Sequence, residues 1–97
     1  MTTHKKKDAI AALRNLGPKS AMWLHAVGVH TRTDLERLGA ARAYLLVKRG
    51  GFKVSLNLLY ALAGVLLDLH WNKLPHDERS RLILEVDAME DAQKNKK

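Results

Sequence analysis

The chain has 97 residues, with 17 lysines and arginines against 10 aspartates and glutamates, and a formal net charge of +7 at pH 7. This length fits one domain, and the absence of cysteine excludes disulfides, thiolate nucleophiles and cysteine-based zinc sites. Because the first residues are followed by no apolar segment of a secretory signal, we expect a cytoplasmic protein.

The first predicted helix covers about residues 8–15. Ile10 and Leu13 lie three positions apart and give this segment an apolar stripe, and the pair Gly17 and Pro18 ends it. A helix of this length is stable only when it packs against neighbours.

The second predicted helix runs from Pro18 to about Val27. Proline suits the first helical position because its missing N–H would be unpaired there in any case. Gly28 is predicted to end the helix in the left-handed conformation, and Val29 to close over the helix end. The inner stripe of this helix consists of Ala21, Leu24 and Val27.

Two more helices are predicted before residue 52. Thr31 and Asp34 have the spacing of a capping box, which predicts a third helix that ends at Gly39. A fourth helix follows directly and is stopped by Gly50 and Gly51, whose backbone entropy makes continuation costly.

The last two predicted helices contain most of the remaining apolar residues. Ser55 is predicted to cap a fifth helix that is apolar nearly all round, and we expect that helix to be the central and most buried element. The apolar stretch is too short and too interrupted by polar residues to span a membrane. A sixth helix opens at Pro75, with Asp77 and Glu78 in its first turn. Its buried stripe consists of Leu82, Val86 and Met89.

The predicted architecture is all-α, a compact bundle of five to six short helices with an N-terminal helix-hairpin-helix unit. We divide the chain into a basic tail at residues 1–7, a helical domain at 8–91 and a second basic tail at 92–97. Six lysines in or beside the two tails carry +6, whereas residues 14–53 hold eight basic and two acidic side chains. This asymmetry fits a surface that faces a polyanion, although a solvated basic face explains it equally well.

The segment LRNLGPKSA at residues 13–21 resembles a helix-hairpin-helix motif, and it is also similar to the hairpin in the carboxy-terminal domain of the RNA polymerase α chain. In such a hairpin, the backbone amides at the start of the second helix bind a DNA phosphate. Asn15 stands where the motif usually has glycine, and its side chain is a possible hindrance to close phosphate approach. The residues that this resemblance implies for DNA binding are Arg14, Asn15, Gly17, Lys19 and Ser20.

A wider resemblance, to the C-terminal domain of the TfoX/Sxy competence regulators, covers nearly the whole chain. It rests on these segments in order: RNLGPKSA (14–21), DL-x-x-LGA (34–40), Tyr44, KVSLNLLYALAGVL (53–66) and HWNKLP (70–75). The resemblance implies a role in the regulation of natural competence. Full-length members carry a further N-terminal domain, so we expect a stand-alone version of the module.

Other candidate residues have two interpretations each. Four basic residues could extend a phosphate-binding strip or could form a solvated helix face: Arg42, Lys48, Arg49 and Lys53. Trp23 and Trp71 could bind a partner protein or could cover the core. The five histidines show no metal-ligand spacing, and we find no catalytic constellation, so we expect no metal, no cofactor, no small-molecule substrate and no enzymatic activity.

The sequence leaves two hypotheses for function. In the first, the domain binds double-stranded DNA weakly and without sequence preference through its hairpin. In the second, it is a protein-interaction module that docks on a transcription factor or an RNA polymerase subunit, without contacting DNA. The sequence does not indicate an oligomeric state.

Overall fold

The computed structural model describes residues 16–94, apart from the side chains of Trp71, Gln93 and Lys94. This part of the chain contains no β-strand, so the all-α prediction is confirmed. The first predicted helix, over residues 8–15, lies outside the described residues. The helices are α1 (Pro18–Ala26), α2 (Arg32–Leu38), α3 (Ala40–Arg49), α4 (Leu56–Leu67) and α5 (His76–Lys94), with a 3₁₀ turn at Trp71–Lys73 between α4 and α5.

The end of α1 has the geometry that the sequence predicts. Gly28 has a φ of +89°, and its amide donates to the carbonyl of His25 at 3.1 Å. The amide of Val29 donates to the carbonyl of Leu24 at 2.8 Å, and both of these side chains are fully buried. This pair of hydrogen bonds is the Schellman motif, which turns the chain sharply into α2.

The start of α2 is held by the predicted capping box. The amide of Asp34 donates to the Thr31 hydroxyl at 3.1 Å, and the amide of Thr31 donates to Asp34 Oδ2 at 3.2 Å. Asp34 Oδ2 accepts a further bond from the amide of His30 at 3.0 Å. This bond from His30, together with the bonds from Thr31, lowers the pKa of the Asp34 carboxyl below its ordinary value of 3.8.

The structure corrects the expectation about which helix is central. α4 contributes seven buried residues, but its ends are open, with Leu56 and Leu67 being 43% and 46% exposed. α3 instead contacts α1, α2, α4 and α5, because its small side chains let several neighbours approach. The fully buried residues with the largest side chains are Leu24, Leu35, Leu59, Leu62, Val29 and Val47.

α5 begins one residue later than predicted and ends beyond the predicted domain boundary. Pro75 precedes the helix, and its carbonyl accepts from the amide of Arg79 at 3.1 Å, so proline occupies the cap. The predicted stripe faces inward, with Leu82 and Val86 buried and Met89 packed against the core. The helix continues to Lys94, because the residues after Asp91 include good helix formers.

α4 ends in a second Schellman motif, at which a residue other than glycine adopts the left-handed conformation. Asp68 has a φ of 62°. Its amide donates to Val65 at 3.2 Å, and the amide of Leu69 donates to the carbonyl of Gly64 at 2.8 Å. The Asp68 side chain is exposed, so aspartate is tolerated here as one of the few L-residues that visit this region.

We predict that Asp34→Asn lowers the thermal unfolding midpoint near pH 7. A carboxyl whose pKa is depressed in the folded state stabilises the folded protein at pH values above the ordinary pKa of 3.8. This stabilisation is lost as the pH falls through the pKa of the folded state. The difference between native protein and variant should therefore shrink as the pH falls below 3.8. Asp87→Asn, which removes an exposed carboxylate, is the control. A difference that persists at low pH would contradict this origin.

We predict that Asp68→Gly raises the free energy of unfolding by about 0.5–1 kcal/mol, because glycine adopts the left-handed conformation without strain. The greater backbone entropy of glycine in the unfolded chain offsets part of this stabilisation. Urea unfolding would measure the change. Asp68→Ala is the matched control, since it removes the carboxylate but keeps the Cβ atom. Equal stabilisation by both variants would show that charge, and not φ, is the cause.

Candidate nucleic-acid interface

The start of α1 is open on the surface. Gly17 is the cap residue, with φ −81° and ψ 176°, and Pro18 occupies the first helical position. No described side chain caps this end, and the first turn contains no acidic residue. Gly17, Pro18 and Lys19 are exposed. The first helical hydrogen bond runs from the amide of Ala21 to the carbonyl of Gly17 at 3.0 Å, so the amides of Lys19 and Ser20 precede the helical ladder.

A pocket of about 330 Å³ lies between the start of α1 and the start of α4. We call it the α1–α4 pocket. Its lining contains one basic residue and no acidic residue. The lining residues are Ser20, Trp23, Lys53, Ser55, Asn57, Leu58 and Ala61.

The predicted cap of α4 needs a correction. Ser55 occupies the cap position with extended backbone angles, but its side chain makes no capping hydrogen bond. Ser55 instead lines the α1–α4 pocket, and so does Asn57 in the first turn of α4. The first turns of α1 and α4 therefore border the same pocket through Ser20 and Asn57, together with Lys53.

Trp23 joins the loop after α3 to α1. Its ring stacks on Phe52, with ring centroids 5.7 Å apart and an interplanar angle of 29°. The ammonium group of Lys19 lies 5.7 Å from the centroid of the Trp23 ring, within the range of a cation–π interaction. Trp23 is half-buried and packs against the core, so most of its contacts are within the chain. Trp71 belongs to the 3₁₀ turn, and its side chain lies outside what the structure describes.

The structure brings only part of the predicted strip together. Ser20 and Lys53 line the α1–α4 pocket, and Lys19 stands beside it over Trp23. Arg42 and Arg49 are exposed on α3 but do not line the pocket. Two further predicted residues, Arg14 and Asn15, lie outside the described part of the chain.

Lys48, another predicted phosphate contact, has a partner within the chain. Its ammonium group binds Glu90 Oε2 on α5 at 2.8 Å. The hydrogen bond to Glu90 raises the pKa of Lys48, which keeps the side chain charged while a carboxylate offsets that charge. The described residues give no ion pair for Arg42, Arg49 or Lys53.

Sequence reasoning missed Ser55 and Asn57 as pocket residues. Both are polar positions at the beginning of an otherwise apolar run, and this was the available signal. Their meeting with Ser20 depends on how α1 and α4 pack, which no local pattern specifies. Within residues 16–94, no group of three or more metal-ligating side chains is found, and no helix there is long and apolar enough to cross a membrane.

Over the described residues, these features define a small all-helical domain in which the start of α1 is exposed and carries a basic side chain. The chain belongs to the TfoX C-terminal domain family, whose model matches residues 6–86. No curated protein matches the sequence.

Among solved structures, the chain is similar to an uncharacterized protein from Listeria monocytogenes, whose crystal structure is of a triclinic form. The TM-score is 0.75 at 24% identity, over 84% of this chain and 93% of the other. At this identity the similarity concerns the fold alone.

We predict that Trp23→Ala lowers the free energy of unfolding by about 2–3 kcal/mol, because the truncation removes the stack on Phe52 and leaves space at the core edge. Met22→Ala is the neighbouring control, since Met22 is 65% exposed and its truncation should change stability by less than about 0.5 kcal/mol. Chemical denaturation of both variants measures the difference. Equal effects would show that the stack adds little.

Proposed function

We propose that this domain is a regulatory, non-catalytic module that binds the phosphate backbone of double-stranded DNA weakly and without sequence preference. The single observation that carries the proposal is the open start of α1, where Gly17, Pro18 and Lys19 are exposed and the adjoining pocket has no acidic lining. A DNA phosphate needs hydrogen-bond donors and positive charge on a surface that it can reach.

Each part of the site has a distinct role in this proposal. The amides of Lys19 and Ser20 supply donors at the positive end of the helix dipole. Lys53, which lines the α1–α4 pocket, and Lys19, which stands beside it over Trp23, supply positive charge. Because phosphate contacts carry no base information, a site of this kind positions a protein on DNA without selecting a sequence. The resemblance to competence regulators supplies the context, which is control of transcription.

The basic residues on α3 that have no ion-pair partner extend the proposed contact. Arg42 and Arg49 are exposed without an ion pair among the described residues, so they are free to approach neighbouring phosphates. Lys48 contributes less, because Glu90 holds its ammonium group. A site with two to four phosphate contacts should give a plot of log K against log salt with a slope of about −2 to −4.

We predict that Lys19→Glu and Lys53→Glu each weaken binding to a fluorescent duplex by about five- to tenfold at low salt and make the salt slope shallower. Fluorescence anisotropy would measure both quantities. Lys73→Glu is the matched control, because Lys73 is exposed and follows the carboxy-terminal end of α4, whereas the site lies at the start of that helix. A helix of twelve residues is about 18 Å long. Lys48→Glu should have a smaller effect than Lys53→Glu.

Two results would overturn the proposal. The first is no binding of the native protein to duplex DNA at about 50 mM salt, where phosphate contacts are strongest. The second is equal weakening by Lys73→Glu and Lys19→Glu, which would mean that net charge alone attracts the DNA.

A second candidate function is docking on a transcription factor or an RNA polymerase subunit. It is favoured by exposed apolar side chains, among them Met22 at 65% and Leu84 at 67%. Affinity purification with and without DNase separates the two functions, because DNase removes partners that are bridged by DNA and spares direct ones. Persistence of a transcription protein after DNase, combined with no binding to free duplex, would favour docking.

A further inference from the structure

Two histidines face each other across the turn between α1 and α2. His25 lies in the last turn of α1, and His30 directly precedes the cap residue of α2. Their Nδ1 atoms are 2.9 Å apart, their ring centroids are 4.5 Å apart, and the ring planes are inclined by 72°. Both residues are exposed, so water reaches the pair.

The backbone on both sides of the pair is fixed by hydrogen bonds. The carbonyl of His25 accepts from the amide of Gly28 at 3.1 Å, and the amide of His30 donates to Asp34 Oδ2 at 3.0 Å. Gly28 holds the left-handed turn between them with its φ of +89°. The two imidazoles are therefore brought together by the turn itself, and a ligand that joins them does not need to reorganise the chain.

The same distances fit two arrangements, a bent hydrogen bond between the two rings and two nitrogen ligands of one ion. A linear N–H···N bond of this length would place the imidazole centroids about 5 Å apart, and bending the bond brings them closer. Two imidazoles in adjacent positions of one tetragonal ion, with metal–nitrogen bonds of about 2.0–2.1 Å, would have nitrogen atoms about 2.9 Å apart and centroids about 4.5 Å apart. The observed pair matches both values, whereas tetrahedral zinc would need nitrogens about 3.3 Å apart.

We propose that His25 and His30 bind one divalent transition-metal ion through their Nδ1 atoms, with water in its remaining positions. The preferred ion is one with tetragonal coordination, for which Cu²⁺ is the test case. When the ion binds a neutral pair, the ring that carries hydrogen on Nδ1 changes to the Nε2–H tautomer, so no net proton is released.

The electrostatic surroundings favour a cation at this place. The last carbonyls of α1 give that helix end a negative partial charge, and His25 lies in its final turn. The Asp34 carboxylate is held next to His30 by the capping box and accepts a hydrogen bond from the amide of His30 at 3.0 Å. The pair lies at the opposite end of α1 from Lys19, so metal binding here is independent of the proposed DNA contact.

Calorimetric titration with Cu²⁺ at pH 7 tests the proposal. The titrated protein should carry His4→Ala, because His4, which lies outside the described residues, supplies another imidazole that can bind Cu²⁺. We expect one ion per chain, with Zn²⁺ bound at least tenfold more weakly. His25→Ala and His30→Ala should each lower the Cu²⁺ affinity at least tenfold. His76→Ala, which removes an exposed histidine at the start of α5, should leave the affinity unchanged.

Circular dichroism of the metal-free variants verifies that they fold, and both replaced side chains are exposed. The electron paramagnetic resonance spectrum of the bound Cu²⁺ should show nitrogen coupling that is lost in the double variant. Absence of saturable binding, or unchanged affinity when His25 and His30 are both alanine, would overturn the proposal. Tighter binding of Zn²⁺ than of Cu²⁺ would overturn the tetragonal geometry.

Discussion

The structure depends on the small side chains along the buried face of α3. Ala40, Ala41 and Ala43 are 7%, 2% and 0% exposed, so the backbone of α3 lies close to its neighbours. Helices approach more closely where the contact residues are small, and this lets one ten-residue helix contact four others. Larger side chains at these positions would push the neighbours apart, and α1 and α4 would lose their common support.

This packing around α3 brings the beginnings of α1 and α4 to one pocket. A helix start that carries neither a side-chain cap nor an acidic residue keeps its positive partial charge available to an outside group. α2 differs, since Thr31 and Asp34 satisfy its first amides within the chain. The start of α2 is thus satisfied within the chain, whereas the starts of α1 and α4 carry no side-chain cap, and this difference is the physical basis of the proposed DNA contact.

The two ends of α1 offer opposite electrostatic environments. Its start exposes amides and the Lys19 ammonium group, which suit a phosphate, and its end carries the negative end of the helix dipole and the exposed His25 imidazole, which suit a cation. The Schellman motif at Gly28 connects the end of this helix to α2 with little freedom, so it holds the environment of His25 and leaves the start of α1 to its packing on α3. The proposed phosphate contact and the proposed metal site therefore lie at opposite ends of one nine-residue helix.

The sequence by itself determined the helices of the described region and most of their ends. Gly28, the pair Thr31 and Asp34, and Gly50 with Gly51 act through hydrogen bonds and dihedral preferences within a few residues, so local patterns predict them. Only the tertiary structure decided that α3 is the central helix and that Ser55 lines a pocket with Ser20. It also paired Lys48 with Glu90, 42 positions away. These outcomes depend on how separate elements pack and how side chains orient in three dimensions, and neither is encoded in the spacing of residues along the chain.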